Sequence, residues 1–339
     1  MERSLRLSLL VVVIAGMLIT NGCSQVGSTE IDNQPVKVKV LLLPFLSFAP
    51  FFIADQEGYF SEQGLEVEFV RLDRGTEAIA AFAQNDLDVY AGAINIGILK
   101  AMQTADIKIV ADKGYFDPAG CTYMTFLARQ DEIDSGELDE VSGIRSKRID
   151  MSVPGNIREY YLDTLLSSAG LSQMDIELVA VPDEAAGEAL ITGGFDLVPI
   201  TEPWVTRILQ AGGTATWMPA QQILPSYHFS FIAYSARFLR ESPQVGKSFM
   251  LAYMKAIEQY GQGKTERNLE IMINATGLER QVLLDSCWSP IAMDGKIEVD
   301  DILAFQDWAQ AKGYLDPPLL AADQIWDSSF VDYALQGQR

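Results

Sequence analysis

Val36-Lys37-Val38-Lys39-Val40 alternates apolar and charged residues, then turns wholly apolar at Leu41-Leu42-Leu43. A period of two places alternate side chains on one face, and the apolar end marks a strand entering the middle of a sheet. Apolar residues continue through Phe51-Phe52-Ile53-Ala54 to Gly58-Tyr59-Phe60 at helical spacing, which predicts a short helix closed by glycine. Leu65-Glu66-Val67-Glu68-Phe69-Val70 alternates again and reads as a second strand. Gly75-Thr76 then open a helix with Ala78, Ile79, Phe82 and Ala83 on one face, and Asp88-Val89-Tyr90-Ala91 follows as a third strand. Strands alternating with helices predict βαβ units and a mostly parallel sheet.

The pattern restarts at Lys147 to Val153, a strand whose loop Pro154-Gly155-Asn156 leads into a helix through Tyr160, Leu162 and Leu165. A strand over Ile176 to Val181, a helix and a strand over Asp196 to Ile200 complete it. Two stretches align without gaps: Ala78 with Ala186, Ala81 with Ala189, Phe82 with Leu190 and Asp88 with Asp196. This predicts one helix-strand unit in each of two lobes. The loops Gly92-Ala93-Ile94-Asn95 and Thr201-Glu202-Pro203-Trp204 should then hold corresponding places, and Asn95 and Glu202 should meet across one cleft. From Phe229 onward helices predominate, over Pro243 to Tyr260 and around Leu303, Phe305, Trp308 and Ala309.

The N-terminus adds a processing signal. Arg3 and Arg6 precede an apolar run from Leu7 to Ile19, which ends at Thr20-Asn21-Gly22-Cys23. That run is shorter than the roughly 20 residues needed to span a bilayer, so it reads as a secretory signal over 1–22. Gly22 before Cys23 resembles a bacterial lipoprotein cleavage site, although Thr20 stands where an aliphatic residue is usual. The expectation is a lipidated Cys23 at the head of a polar tether over 23–35, and a protein anchored by lipid alone on the extracytoplasmic side of the cell membrane. Leu41 to Ala54 is apolar, but Pro44 and Pro50 interrupt it and it is too short to span.

Charge and composition narrow the partners. The 339 residues carry 25 Lys plus Arg against 46 Asp plus Glu, a net charge of −21, which argues against nucleic acid or anionic lipid as partners. The sole histidine, His228, cannot form a His-cluster metal site, and it sits beside an apolar stretch where a packing or hinge role is expected. No cofactor or metal is expected. With Cys23 given to lipid, Cys121 and Cys287 remain; two buried free thiols are favoured over a bridge, because nothing in the sequence brings them together.

The segment Ala49-Pro50-Phe51-Phe52-Ile53-Ala54-Asp55-Gln56-Glu57-Gly58-Tyr59-Phe60-Ser61-Glu62-Gln63-Gly64-Leu65-Glu66-Val67-Glu68 closely resembles the opening of a family of ABC-importer binding proteins. Its members take sulfonates, nitrate, thiamine-pyrimidine precursors or riboflavin. Leu87-Asp88-Val89, Ile107 to Ala111, Ile144 to Ile149, Gly170-Leu171, Gly194-Phe195-Asp196 and Glu202-Pro203-Trp204 support the likeness. It implies an α/β, two-lobed periplasmic-binding type II fold, with mixed sheets, flanking helices and a hinge between lobes. Lobe 1 would comprise 36–119 and 230–339, and lobe 2 would comprise 120–229, with crossings near Asp117 to Thr122 and Ser226 to Ser230. It further implies a monomer that binds a small molecule, partners an ABC permease and its ATPase, and is not an enzyme. The Cys-rich motif of the pyrimidine-making relatives is missing.

In such sheets ligands bind beyond the carboxyl ends of strands. The ligand-binding candidates are Phe45, Ser47, Phe48, Gly75, Thr76, Ile94, Asn95 and Tyr115 in the first lobe. Gly155, Asn156, Arg158, Glu202 and Trp204 are those of the second. Gly75-Thr76 and Gly155-Asn156 begin helices, whose free N–H groups hold anions or carbonyl oxygens. Aromatic residues crowd the crossings and loop ends: Phe45, Phe48, Tyr115, Phe116, Tyr123, Trp204, Trp217, Tyr227 and Phe229. They suit a planar ring, with Trp204 the leading contact and Glu202 an acceptor for ring N–H groups. Few Arg or Lys fall among these loops, so a planar heterocycle of riboflavin or thiamine-pyrimidine type is preferred. Paired helix starts and Arg158 favour the alternative, a sulfonate, taurine or nitrate.

Overall fold

The computed structural model describes residues 34–43, 45–72, 75–151 and 153–337. The expected signal segment, Cys23 and nearly all of the tether lie outside the described residues. Among the described residues there are ten strands: β1 Val36–Leu42, β2 Leu65–Arg71, β3 Val89–Ala93, β4 Lys108–Tyr115, β5 Met124–Arg129, β6 Arg148–Asp150, β7 Glu177–Val179, β8 Leu197–Thr201, β9 Thr214–Pro219 and β10 His228–Tyr234. Between them lie helices α1 Ala49–Gln56, α2 Tyr59–Glu62, α3 Gly75–Ala83, α4 Ile96–Thr104, α5 Gln130–Asp134, α6 Ile157–Ser168, α7 Asp183–Ile191, α8 Trp204–Ala211 and α9 Ala220–Ile223. The C-terminal part adds α10 Pro243–Tyr260, α11 Glu266–Thr276, α12 Arg280–Asp285, α13 Val299–Ala311, α14 Ala322–Ile325 and α15 Ser329–Gly337.

The strands form two five-stranded sheets with orders β2-β1-β3-β10-β4 and β7-β6-β8-β5-β9. Each has three parallel strands, in register Val36 with Leu65 in the first and Arg148 with Glu177 in the second. An antiparallel strand, β10 or β5, separates the third parallel strand from the last one. These two strands are the first the chain makes after each crossing between sheets. The second crossing therefore runs ahead of β10, and helices predominate only after Tyr234. All seven residues of β10 are buried. A strand covered on both faces is apolar throughout and loses the alternation that reveals strands elsewhere.

The aligned halves of the sequence have equivalent geometry. Asp88 accepts from the backbone N–H of Lys39 at 2.9 Å, and Asp196 accepts from that of Arg148 at 2.8 Å. Each thus ties the start of a third parallel strand to the neighbouring first strand. Ala78 and Phe82 on α3, like Ala186 and Leu190 on α7, are buried. One apolar core runs through both sheets, and a smaller cluster around Phe195, Val198 and Ile208 lies under α7 and α8.

The C-terminal helices pack against the first sheet and also reach the second lobe. Phe249 and Tyr253 of α10 meet Phe51 with ring centroids 6.2 and 5.2 Å apart, and the Tyr253 hydroxyl donates to the Asp112 carbonyl at 2.9 Å. From α13, Trp308 Nε1 donates to Asp163 of α6 at 2.8 Å, and the Tyr314 hydroxyl beyond it reaches Glu159 at 3.0 Å. Cys121 and Cys287 form a disulfide with their Cα atoms 5.5 Å apart, which overturns the expectation of free thiols. Cys121 lies on the first crossing and Cys287 follows α12, so only the return of the C-terminal helices brings together residues 166 apart in sequence.

Candidate ligand site at the seam between the lobes

The carboxyl ends of the parallel strands face one another across a seam. After β3, Asn95 caps α4: its Oδ1 accepts from the Ile98 N–H at 3.1 Å, while Nδ2 donates to the Ala93 carbonyl and the Tyr90 hydroxyl. After β6, Asn156 caps α6 by accepting from the N–H groups of Arg158 and Glu159 at 2.9 and 3.2 Å. The two asparagines form an isolated antiparallel bridge, in which the Ile96 N–H donates to the Gly155 carbonyl at 2.8 Å. Gly155 has φ +72°, and a Cβ on it would stand 2.6 Å from Ile96 Cδ1. Only glycine fits both the backbone and the approach. Two helix N-termini, each the positive end of its dipole, therefore meet at the seam.

A buried cation lies at the same end of the first sheet. Lys113 of β4 is 1% exposed, and its Nζ donates to Ser47 Oγ at 2.7 Å and Ser230 Oγ at 3.1 Å. The ammonium also stands 4.2 Å above the Phe48 ring. The Ser230 hydroxyl donates to the Gly92 carbonyl at 3.1 Å, at the end of β3. The buried Tyr123 hydroxyl bonds to Ser47, and burial pushes it up to about 12. Burial pushes the Lys113 amine down to about 7, against a smaller opposing pull from Asp112. Lys113 is not among the candidates named from the sequence. Its signal was the charged pair Asp112-Lys113 inside an otherwise apolar strand, before Gly114.

The remaining candidates divide. Ser47, Phe48, Asn95, Gly155 and Asn156 belong to these two clusters, and Ile94 anchors the first by donating its N–H to the Phe229 carbonyl at 2.8 Å. Phe45 is half-buried beside Ser47, at the start of the same turn. Arg158 is clamped by Asp183, two hydrogen bonds of 2.6 Å joining guanidinium and carboxylate. Trp204 opens α8 and lines a groove of about 340 Å³ with Asp183, Gly187, Arg207 and Ile208, the Arg207 guanidinium 5.1 Å from its ring. Gly75 and Thr76 open α3, and their side chains lie outside the described residues.

Two candidates face elsewhere. Tyr115 stacks on His228 with ring centroids 5.2 Å apart. His228 Nδ1 lies 2.9 Å from Asp112 Oδ1; burial, the largest single influence, lowers its pKa, but that hydrogen bond and the charges of Asp112, Asp301 and Glu298 together outweigh it, so the pKa is raised. Glu202 is 2% exposed and accepts from the Thr206 N–H, the Thr206 hydroxyl and the Cys287 N–H at 3.0, 2.9 and 3.0 Å. Burial raises its pKa, and these three bonds oppose the rise. Asn95 is therefore met across the seam by Asn156, while Glu202 caps α8 and holds the turn carrying the disulfide. Glu202 and Asn95 do occupy corresponding loops, yet the first parallel strand of lobe 2, not its third, reaches the opposite lobe at Asn95. Among the described residues no group of three or more His, Cys, Asp or Glu could hold a metal ion. No helix among them is long and apolar enough to cross a membrane.

Two mixed sheets with helix starts meeting at one seam define a periplasmic-binding type II fold. The NMT1/THI5-like family profile matches residues 46–262, and the chain belongs to that family. A formylaminopyrimidine-binding protein of Halalkalibacterium halodurans is 20% identical over 323 residues, covering 90% of this chain and 94% of that one. The periplasmic nitrate-binding protein of Synechocystis superposes with a TM-score of 0.72 at 13% identity, over 90% of this chain and 89% of that one. The periplasmic aliphatic sulphonate-binding protein of Escherichia coli gives 0.71 at 13% identity, over 87% and 92%. At such identity these two likenesses are of fold.

Proposed function

We propose that the chain is the extracytoplasmic solute-binding subunit of an ABC importer, delivering its cargo to a permease driven by a separate ATPase. The observation that carries this reading is the meeting of the Asn95 and Asn156 loops at the strand ends of two lobes. A solute caught there is enclosed when the lobes, 36–119 with 230–339 and 120–229, close about their two crossings. The anchor is a lipid on Cys23, and Cys23→Ser is expected to move the protein from the membrane fraction to the soluble one.

The cargo we favour is a small planar heterocycle of the thiamine-pyrimidine type. The relative in Halalkalibacterium halodurans, named for a formylaminopyrimidine, aligns along nearly the whole chain. A flavin would need more free aromatic faces. Phe116 and Tyr123 stack on Phe229 with centroids 4.4 and 5.6 Å away, Phe48 is fully buried, and Tyr227 packs on Tyr160. Half-buried Phe45 remains beside Ser47 to take a ring, whereas Trp204 lines the groove between α7 and α8 and Trp217 packs edge-on against Phe126. A second reading, a sulfonate or nitrate, is favoured by the buried ammonium of Lys113. Mass spectrometry of the solute released by denaturing freshly purified protein tests both. An aminopyrimidine supports the first, whereas release of an acyclic anion overturns it.

A further inference from the structure

We propose that Glu159 is a positioning residue for the solute site. It ties the Gly155-Asn156 loop of lobe 2 to the end of α13 in lobe 1, and so sets how long the closed lobes hold their solute. This rests on the reading of the seam as the solute site and of the lobes as closing over it. Glu159 stands three residues after the Asn156 cap, where the carboxylate of a capping box reaches back to the N–H of the cap itself. Here Oε2 accepts instead from the Gly155 N–H, at 2.6 Å. The Gly155 carbonyl is the one that takes the Ile96 N–H across the seam. The same carboxylate, 2% exposed, accepts from the Tyr314 hydroxyl at 3.0 Å, and Lys312 Nζ lies 3.4 Å away. Lobe 1 thus holds Gly155 from two sides, directly through α4 and indirectly through Glu159.

A purely local role does not account for this arrangement. Asn156 already caps α6, and a helix start needs no donor from another lobe. One turn on, Asp163 repeats the pattern: it accepts from Trp308 Nε1 at 2.8 Å and pairs with Lys312 Nζ at 3.0 Å. Carboxylates four residues apart destabilise a helix unless they are compensated. Gln173 of lobe 2 serves both, its Nε2 2.9 Å from Glu159 and 2.8 Å from Asp163. Trp308, Lys312 and Tyr314, all of lobe 1, add their donors to the pair. Burial would raise the Glu159 pKa, but the bonds from Gly155, Gln173 and Tyr314 and the charge of Lys312 together lower it, so the carboxylate stays an acceptor. Opening the lobes breaks the contacts from lobe 1 and leaves those of Gly155 and Gln173 in place. A latch of this kind slows release and has no part in the first encounter with solute.

The test uses the full chain and Tyr314→Phe, which removes the hydroxyl from lobe 1 and leaves α6 and its cap as they are. Hydrogen exchange in solute-free protein, followed at the peptide over 153–157, should quicken by about tenfold, the factor for one hydrogen bond to a charged group. With a formylaminopyrimidine as probe, stopped-flow fluorescence should show dissociation faster by a similar factor and association unchanged. Butanesulfonate, if it is the probe that binds, should show the same change. Glu159→Ala should match or exceed these effects, and Tyr314→Phe added to it should change nothing further. Glu159→Gln, which keeps an acceptor for the Gly155 N–H, should recover part of the loss. If Glu159→Ala does not melt cooperatively, Tyr314→Phe alone decides. Unchanged exchange over 153–157, unchanged dissociation of a probe that binds, or effects of the two substitutions that add overturns the inference. So does a change in preference between the probes, which would mean that Glu159 touches solute. Binding of neither probe counts against the cargo reading, and exchange, which needs no solute, then decides.

Discussion

Asn95 and Asn156 cap helices in different lobes and lie opposite each other, joined by the Ile96 N–H donating to the Gly155 carbonyl at 2.8 Å. The same residue type thus satisfies the start of α4 and of α6 at the point where the lobes touch. Closure here brings backbone against backbone, and side chains larger than hydrogen at residue 155 have no room.

Gly155→Ala is therefore expected to impair closure. The left-handed backbone at φ +72° costs an alanine about 1 kcal/mol, and its Cβ would stand 2.6 Å from Ile96 Cδ1. The melting temperature should fall by about 2–4 °C or more. Small-angle scattering should also show a larger radius of gyration than wild type. An unchanged radius and melting temperature would show that Gly155 does not set the approach.

The disulfide should be essential to stability. It joins the first crossing to the turn after α12, closing a loop of 166 residues, and bridges across long loops typically contribute about 2–5 kcal/mol. Urea unfolding of Cys121→Ser/Cys287→Ser should show a loss in that range. Thiol titration of wild type, denatured without reductant, should find neither Cys121 nor Cys287 reactive; two reactive thiols would refute the bridge.

How much of this was legible in the sequence depended on whether a residue's partners were local. Asp88 and Asp196 could be aligned because each follows its helix at a fixed distance, and both make the expected equivalent contacts. The strands at Val36 and Leu65 declared themselves through alternation, since one face of each is exposed over part of its length. β10 was hidden because it is buried on both faces, and the disulfide because its halves meet only through the returned C-terminal helices. In the site, Asn95, Gly155 and Asn156 were readable as helix starts. Lys113 carries no local signal of that kind, because it lies inside a strand and touches residues 66 and 117 positions away.

Glu202 is expected to act as a structural clamp. Glu202→Ala removes the cap on α8 and leaves the buried Cys287 N–H without its acceptor, a combined loss of about 2–4 kcal/mol. Glu202→Gln keeps an acceptor for the Cys287 N–H and should lose less. Chemical denaturation of both variants measures this, and solute affinity measured on the folded fraction separates the roles. A large loss of affinity in Glu202→Gln with stability retained would mean that Glu202 touches solute.

The Lys113 amine has a folded pKa of about 7, well below the roughly 10.4 of an unfolded lysine, because burial disfavours its charge. Between those values the unfolded chain holds a proton that the folded protein has released, so this group makes stability rise with pH. Its penalty is greatest and constant below about pH 7 and is relieved as pH climbs toward 10. The groups facing it do not confuse the window. Ser47 and Ser230 do not titrate there, Tyr123 is held up to about 12, and Asp112 on the same strand is the carboxylate that pulls the other way. Urea unfolding of wild type and Lys113→Met at pH 7, 8 and 9 should give a stability difference that shifts toward wild type by up to about 1.4 kcal/mol per pH unit. Lysines with ordinary surroundings are common to both proteins and cancel in the difference. Parallel pH profiles for the two proteins would show that the buried amine keeps its proton throughout.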